Sequence, residues 1–363
     1  MSDRIYTLPI EQTKWKVPSG NTTVFTWDYD EGNDRLLSLY EKGKAKQWNA
    51  SDRIDWSIEV DLDSPDLVPD EYVPIFGSRL WDRLGAEDRQ RVKQHVTSWQ
   101  FSQFLHGEQG ALICASKIVQ TVPDMDSKFY AATQVVDEAR HVEVFSRYLR
   151  EKVGFAYPIN RSLQALLDDT IQDSRWDLTY LGMQVLIEGL ALAGFGVTRD
   201  QTREPLARAL NAYVMQDEAR HVAFGRLALR EYYKELTTAE LADREEFCVE
   251  ACYLLRDRFL GEEIWEHLDL APAEAVAHIN NSEAFQLFRS LLFTRIVPTL
   301  KDIGMMGPKV KRAFAEMDVL GYQDIDLEAV MAYDEEAADA IDAQRIAQVQ
   351  ETIKVGTGAD ADA

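Results

Sequence analysis

The hexapeptide DEARHV occurs at residues 137–142 and again, unchanged, at residues 217–222. In each copy a glutamate and a histidine are three positions apart, so both side chains project from one face of a helix. They are Glu138 with His141 and Glu218 with His221. A carboxylate beside an imidazole is a suitable ligand pair for a divalent metal. A single such motif is more simply a solvated surface pair, and the repeat is what favours a metal site.

A lone glutamate in an apolar stretch lies thirty residues before each motif glutamate: Glu108 before Glu138, and Glu188 before Glu218. The helical pattern breaks within each interval, at Pro123 in the first and at a polar turn in the second. Because a helix rises about 1.5 Å per residue, an antiparallel hairpin brings the two glutamates of each pair to the same height. Two such hairpins packed together would place four glutamates and two histidines around one centre.

The sequence therefore predicts the ligand pattern of a dimetal four-helix bundle. On these residues, over about 86–235, the chain resembles the ferritin-like non-heme diiron carboxylate oxygenases. The stretch LVPDEYVPIF (67–76) and the short hairpin turns look most similar to the p-aminobenzoate N-oxygenase branch. The resemblance implies an all-α, ferritin-like four-helix bundle that binds two Fe ions, or a Mn/Fe pair. The implied metal ligands are Glu108, Glu138, His141, Glu188, Glu218 and His221.

The resemblance also implies partners for the two ligand histidines. In related diiron enzymes, the aspartate that precedes one motif's glutamate binds the ligand histidine of the other motif, which orients the imidazole. Here these pairs are Asp217 with His141 and Asp137 with His221. The arginines of the repeat would then balance the aspartates, with ion pairs on the helix surface as the alternative; they are Arg140 and Arg220.

Three positions depart from the patterns of relatives. The N-oxygenase branch carries an additional histidine ligand four residues before the last glutamate, where this chain has Val214, and this weakens the case for N-oxygenation. Phe145 replaces the radical tyrosine of ribonucleotide reductase small subunits, which excludes radical storage there. Leu192 replaces the threonine of bacterial multicomponent hydroxylases. Tyr148 and Tyr180 remain as candidate redox residues, although core packing is the simpler interpretation.

The third ligand helix, YLGMQVLIEGLALAGFG (180–196), is apolar on nearly every face and contains four glycines. Close helix packing is the simpler interpretation of each glycine. We nevertheless expect Gly189, next to Glu188, to leave room for O2 or substrate in a dry pocket walled by bulky side chains. The predicted pocket residues are Phe104, Gly189, Leu192 and Phe195, with Met183 as a further apolar wall. Such a pocket favours a small hydrophobic or aromatic substrate.

An O2-activating diiron oxygenase or oxidase is the leading functional prediction, with hydroxylation and N-oxygenation both open. Because the chain has no flavin or iron–sulfur motif, electrons would come from a separate reductase or ferredoxin. The alternatives are a ferritin-like iron-handling protein, a Mn/Fe ligand-binding oxidase, and a helical structural protein with degenerate motifs. About 85 residues before the bundle and more than 120 after it favour a discrete enzyme, which we expect to be a homodimer.

Composition restricts the remaining classes. The formal net charge of −23 disfavours nucleic acid and anionic lipid as partners. Three cysteines are too few for a disulfide framework and favour a reducing compartment. The N-terminal residues lack the apolar run of a signal peptide, and no long apolar run predicts a membrane span. We therefore expect a cytoplasmic protein.

The chain is expected to divide into four parts. Residues 1–85 form an N-terminal helix and an extended wrap, 86–235 the bundle, 236–350 additional helices, and 351–363 a disordered tail. Hydrophobic periodicity and breakers predict the individual helices. Their expected ranges are 86–121, 125–152, 161–197, 203–234, 238–268, 272–303 and 308–318.

Overall fold

The computed structural model describes residue 5 and residues 10–29, 32–65 and 67–357. The protein is 74% helical, and the described residues contain no strand. The predicted all-α fold is therefore confirmed. Before the bundle, the described residues form three short α-helices and two 3-10 turns, at Ile10–Thr13 and Asp70–Tyr72, joined by extended segments. These helices are α1 (Asp34–Ala45), α2 (Ala50–Arg53) and α3 (Arg79–Arg83).

Two helical hairpins form the central bundle. The helices from here to the end of the bundle are α4 (Ala86–Thr121), α5 (Met125–Tyr148), α6 (Arg161–Gln172), α7 (Trp176–Tyr180), α8 (Glu188–Gln201) and α9 (Pro205–Tyr232). The most extensive helix contacts are between α4 and α5 and between α8 and α9. The turns between the paired helices are short. Val122 ends α4 and Thr202 ends α8, because both residues have an extended backbone conformation. The two hairpins predicted from the glutamate spacing are therefore present.

The predicted helix over 161–197 is interrupted, which corrects the sequence-based assignment. Asp173 ends α6, because its side chain accepts hydrogen bonds from the backbone N–H of Arg175 at 2.8 Å and from the Arg175 guanidinium. A local side chain that satisfies the backbone competes with helix continuation. The third bundle helix therefore starts at Trp176, and α6 packs outside it, against α4 and the later helix α10 (Thr238–Asp257).

A π-helical segment, Leu181–Ile187, connects α7 to α8 and ends one residue before Glu188. Segments of π-helix are rare in proteins, and those that occur are often found at functional sites. Gly182 lies within it, and a Cβ atom there would approach Thr170 Oγ1 of α6 to 2.5 Å. The glycine therefore allows α6 to pack closely against the third bundle helix.

Among the described residues, seven α-helices follow the bundle. They are α10, already given, and α11 (Glu262–His267), α12 (Pro272–Asn281), α13 (Glu283–Leu291), α14 (Ile296–Asp302), α15 (Pro308–Glu316) and α16 (Leu327–Thr357). The predicted helix over 238–268 is broken by a 3-10 turn, Arg258–Leu260, and by Gly261 at φ +61°. Helix α16 packs on α9 and extends into the tail that was predicted to be disordered; residues 358–363 lie outside the described part.

The run from Trp176 to Gln201 is long and apolar enough to cross a membrane, with a mean hydropathy of 1.5. However, 83% of its most apolar window is buried inside the protein. A helix that is surrounded by other helices in a bundle is apolar on all its faces, because every face is buried. Burial in the bundle therefore accounts for the apolar composition of this run. The three cysteines are also buried, and all of them are free.

Candidate metal centre

All six residues predicted as metal ligands lie together in the interior of the bundle. Each helix of the two hairpins contributes one glutamate, and α5 and α9 each contribute a histidine one turn later. None of the six residues is more than 4% exposed. They are Glu108, Glu138, His141, Glu188, Glu218 and His221. Helix periodicity positions each Glu–His pair, and hairpin packing brings the two pairs together.

The six side chains form two overlapping groups of four, each compact enough to hold one ion. One group is Glu108, Glu138, His141 and Glu218; the other is Glu138, Glu188, Glu218 and His221. Within each group the possible ligand atoms lie within 4.8 Å of one another. Glu138 and Glu218 belong to both groups, so each of these carboxylates could help to hold either ion.

The Nδ1 atoms of both histidines point into the cluster. His141 Nδ1 lies 3.0 Å from Glu218 Oε1, 3.1 Å from Glu108 Oε2 and 3.3 Å from Glu138 Oε2. His221 Nδ1 lies 3.0 Å from Glu138 Oε1 and 3.5 Å from Glu218 Oε1. Each imidazole therefore presents one nitrogen to several carboxylate oxygens.

Several of these buried atoms have no hydrogen-bond partner among the described residues. They include Oε2 of Glu138, Oε2 of Glu188, both carboxylate oxygens of Glu218, and Nδ1 of His221. Unsatisfied buried polar atoms are costly and rare in native proteins. Carboxylate oxygens with one imidazole nitrogen per group are a ligand set that suits iron or manganese. The residues present therefore fit a pair of metal ions.

The electrostatics of the cluster support the same conclusion. Burial raises the pKa of Glu108 and of Glu188 well above the ordinary range, and repulsion from Glu218 adds to the effect. Burial alone would lower the pKa of the two histidines, but contact with carboxylates raises it well above the ordinary value. In the absence of metal, bound protons therefore offset the negative charge of the closely packed carboxylates. Divalent cations supply the same compensation and would displace those protons.

A glutamine missed in the sequence analysis completes the cluster. Gln134 Nε2 donates to Glu138 Oε1 at 3.0 Å and to Glu188 Oε1 at 2.9 Å, so it links α5 to α8. The residue is fully buried. It lies four positions before Glu138, on the same helix face, and this spacing could have identified it.

The outer nitrogens of the histidines contact the aspartates of the opposite motifs. His141 Nε2 lies 3.1 Å from Asp217 Oδ2, and His221 Nε2 lies 3.2 Å from Asp137 Oδ2. Arg140 donates to both aspartates, to Asp137 Oδ1 at 2.5 Å and to Asp217 Oδ2 at 2.8 Å. Arg220, the equivalent arginine, also donates to Asp217. Such contacts hold each imidazole ring in one orientation and one tautomer.

Two residues of the N-terminal segment make further contacts that the sequence did not indicate. Gln47 Nε2 donates to Asp137 Oδ1 at 2.7 Å, and its Oε1 accepts from Arg140 at 2.8 Å. Trp48 Nε1 donates to Asp217 Oδ2 at 2.8 Å. Both residues follow α1, which packs on α5 and α9. No spacing pattern connects residues 47–48 to the repeats, so only the tertiary structure could reveal them.

Comparison with known proteins agrees with this geometry. The protein-family model "P-aminobenzoate N-oxygenase AurF" matches residues 30–304, which is most of the chain. The chain belongs to the AurF family of p-aminobenzoate N-oxygenases. A search of curated protein sequences finds no match.

Solved structures similar to this AurF-family protein include variants of an R2-like ligand-binding oxidase with an anaerobically reconstituted Mn/Fe cofactor. One has 19% identity and a TM-score of 0.45, with 77% of this chain and 96% of that chain covered. Another has 17% identity and a TM-score of 0.43, with 76% and 95% covered.

A small void lies directly beside the ligand glutamates. Its volume is about 20 Å³, enough for about one water molecule. Phe104, Phe195 and Met183, three of the residues predicted to wall a pocket, line this void. Gly189 and Leu192 are not among the described residues that line it. A Cβ atom on Gly189 would lie 3.3 Å from Ile296 Cγ1 of α14, so this glycine serves helix packing instead.

The positions where the AurF-family protein departs from its relatives are filled by packing residues. Val214 and Phe145 are fully buried, and the ring of Phe145 stacks on Phe195 with centroids 5.7 Å apart. Tyr148 donates to Glu204 Oε2 at 3.3 Å, and Tyr180 packs against Phe224. The position that carries the additional histidine ligand in the N-oxygenase branch is therefore occupied here by a buried valine, which cannot bind a metal ion.

Proposed function

We propose that this protein is an O2-activating dimetal oxidoreductase that oxidises a small hydrophobic or aromatic substrate. The observation that carries the proposal is the buried six-ligand cluster, in which Glu138 and Glu218 belong to both metal-sized groups. Three of the ligand glutamates line a mainly apolar void. This arrangement supports a role in which a substrate reacts beside the metal ions, and not a role in iron storage. Membership of an N-oxygenase family supports oxygen chemistry.

Two Fe ions are the proposed cofactor, with a Mn/Fe pair as the alternative, because carboxylate and imidazole ligands suit both. Glu108 and His141 would hold one ion and Glu188 and His221 the other, and the shared carboxylates could help to hold both. When bound, a pair of ferrous ions supplies electrons for the reduction of O2. Further electrons would come from a separate reductase or ferredoxin, since the chain has no flavin or iron–sulfur motif.

The surrounding residues have three tasks in this proposal. Asp137 and Asp217 hold the histidine rings so that their Nδ1 atoms stay directed at the ions. Gln134 orients Glu138 and Glu188 by donating one hydrogen bond to each. Aromatic rings exclude water from the oxidising centre; Phe104 and Phe195 pack edge to face with centroids 4.6 Å apart.

The reaction type is proposed as hydroxylation or N-oxygenation. Retention of the six ligands supports both, and the valine at position 214 makes the centre less similar to a seven-ligand N-oxygenase. We also propose a cytoplasmic homodimer; the free, buried cysteines are consistent with a reducing compartment.

Anaerobic reconstitution with Fe(II) tests the proposal directly. We expect two ions per chain by elemental analysis, and an optical change with O2 consumption when air is admitted. His221→Ala should lose at least one ion and this O2 reaction. Glu143→Ala is the matched control, because Glu143 is an exposed acid on the same helix as Glu138.

Full O2 reactivity in His221→Ala, or one ion or fewer per wild-type chain, would contradict the dimetal assignment. Gel filtration separates the storage alternative, since a dimer supports a discrete enzyme and a 24-subunit shell supports storage of iron.

A further inference from the structure

The last helix, α16, is held to the rest of the chain by charge. It carries three acids at a spacing of seven residues: Glu328, Glu335 and Asp342. Seven residues are close to two helical turns, so the three carboxylates share one face. Each of them pairs with a cation from another part of the chain: Glu328 with Arg226 at 2.6 Å, Glu335 with Lys46 at 2.8 Å, and Asp342 with Arg53 at 2.7 Å. A stripe of acids therefore faces the bundle, where a packed helix usually has apolar residues.

One further acid of α16 forms a firm anchor. Asp334 is 2% exposed and accepts hydrogen bonds from two buried arginines. Arg199 donates to it at 3.2 Å and Arg295 at 2.6 Å. Removing a partner from a buried ion pair is costly, because a charge is left buried without compensation. Asp334 therefore keeps this part of α16 attached to the protein.

The stretch of α16 after the anchor, residues 335–347, is held much more weakly, and we call it the acidic arm. It contains four acids and one arginine. Only Ala338 is buried within it, and Ile341 adds a partial apolar contact. Its two ion pairs to other parts of the chain, with Lys46 and Arg53, are both partly exposed, and such pairs contribute little to stability. The acidic arm can therefore leave the surface while the anchor keeps α16 in place.

The surface beneath the acidic arm leads towards the metal centre. Asp342 Oδ1 accepts from the hydroxyl of Tyr213 at 2.8 Å. The guanidinium carbon of Arg53 lies 3.9 Å from the ring centroid of Tyr213 and 5.5 Å from that of Trp48. The indole of Trp48 donates to Asp217, which contacts a ligand histidine. An unbroken chain of contacts therefore joins the acidic arm to the metal ligands.

The same surface is basic, although the protein as a whole is strongly acidic. Residues 42–53 contain three lysines and one arginine but only one acid, and the formal net charge of the chain is −23. An acidic protein would be repelled by most of this molecule and attracted to this segment. The acidic arm shows which chemistry the segment accepts, because carboxylates already occupy Lys46 and Arg53.

We propose that residues 42–53 form the docking site for an electron-carrier protein with an acidic surface, and that the acidic arm covers this site until the carrier displaces it. The proposal rests on the proposed function, which requires electrons from a separate protein. A one-electron carrier such as a [2Fe–2S] ferredoxin would be oxidised twice for each pair of ferric ions that becomes ferrous. Complementary charge would orient the carrier over Trp48.

Binding to the metal-free full chain tests the docking site without any enzyme reaction. The probe is a fluorescently labelled plant-type [2Fe–2S] ferredoxin with an acidic surface, followed by anisotropy at low salt. Two double variants remove the same two ion pairs from opposite sides. The acid-neutral variant is Glu335→Gln with Asp342→Asn, and the cation-neutral variant is Lys46→Gln with Arg53→Gln. Both loosen the acidic arm, but only the first keeps the cations of the docking site.

We therefore expect the two variants to differ. The acid-neutral variant should bind the ferredoxin about tenfold more tightly than the wild type, because a larger fraction of molecules has the site uncovered. The cation-neutral variant should bind no more tightly than the wild type. Equal affinities in the two variants would overturn the proposal, since loosening of the arm would then be the whole effect. Absence of binding by the acid-neutral variant would overturn it as well.

Glu328→Gln is the matched control. It removes the third ion pair of the stripe, but Glu328 lies before the anchor and outside the acidic arm. This variant should bind the ferredoxin with wild-type affinity. A gain as large as that of the acid-neutral variant would contradict the assignment of the cover to residues 335–347.

Hydrogen exchange measures the movement of the acidic arm itself. Backbone amides of residues 335–347 should exchange faster in both double variants, to the same extent, because each lacks the same two ion pairs. Saturating ferredoxin should also speed their exchange in the wild type. Unchanged exchange there on binding would show that the carrier does not displace the arm, and would overturn the proposal.

Reduction of the iron-loaded, air-oxidised protein separates this proposal from the proposed function. Photoreduced ferredoxin should reduce the iron faster in the acid-neutral variant than in the cation-neutral variant, whereas dithionite, a small reductant, should reduce both equally. Equal rates with ferredoxin would contradict the docking site. A wild-type chain that holds fewer than two ions would instead contradict the proposed function, and the binding measurements on the metal-free chain would still decide the docking site.

Discussion

His141 and Asp217, which are 76 residues apart, meet at 3.1 Å between Nε2 and Oδ2. Because His141 Nδ1 faces three glutamate oxygens, the imidazole ring is held at both of its nitrogens. Asp217 is held in turn by Arg140 and by the indole N–H of Trp48. One contact therefore ties two motif helices and the N-terminal segment to the metal centre.

Replacing Asp217 with asparagine should weaken metal binding. Asp217→Asn preserves the shape of the side chain but removes the charge that orients His141 and that Arg140 and Arg220 neutralise. Loss of such a partner typically lowers metal affinity about 10–100-fold. Competition with a chelator would measure the change. Asp339→Asn, an exposed change of the same type, should have no effect, and an unchanged affinity in Asp217→Asn would show that the contact is dispensable.

Gln134 should hold two predicted metal ligands, Glu138 and Glu188, in position. Gln134→Leu removes the hydrogen bonds to Glu138 and Glu188 and leaves a similar volume. Hydrogen bonds to charged groups contribute about 1.5–3 kcal/mol, so we expect metal affinity to fall about tenfold or more. Chelator competition would measure it, with circular dichroism as the control for folding. Wild-type affinity in this variant would mean that the metals alone position the two carboxylates.

Two glycines of the third bundle helix should respond in opposite ways to alanine. At Gly182 a Cβ atom would approach Thr170 Oγ1 to 2.5 Å, so Gly182→Ala should destabilise the protein by about 1–3 kcal/mol. At Gly194 the nearest atom would lie 3.8 Å away, so Gly194→Ala should stabilise it by up to about 1 kcal/mol.

Chemical denaturation of the two variants side by side would measure both effects. Equal changes in the two variants would contradict the packing argument.

His95 should make stability depend on pH. Burial, with repulsion from His267 and Arg91, lowers the pKa of His95 to about 4, while an unfolded histidine titrates near about 6.5. The unfolded state therefore binds a proton first, and the stability contributed by neutral His95 is present above about pH 6.5 and is lost as the pH falls toward 4.

His95→Asn removes this titration. The difference in melting temperature between wild type and His95→Asn should therefore shrink as the pH is lowered from 7 to 5. A difference that does not change with pH would contradict the assigned shift.

Some features of the centre could be predicted because they depend on local geometry. The i, i+3 spacing within DEARHV places Glu and His on one helix face in any helix. Glu108 and Glu138 are equally far along the chain from the turn that joins their helices. They therefore lie at the same height in the antiparallel hairpin. The start of the third bundle helix was predicted wrongly, because Asp173 forms a local turn that hydrophobic periodicity does not reveal. Gly189 was assigned to the pocket, although it faces Ile296 of a helix more than a hundred residues later.

The sequence by itself determined the helical class, the two hairpins and the identity of the clustered ligands, since these follow from helix periodicity and chain length between turns. Only the tertiary structure decided what surrounds them: the glutamine and tryptophan that follow α1, and the void beside the ligands. Those contacts join segments far apart in the chain. Their existence depends on how whole helices pack, which no spacing within one helix encodes.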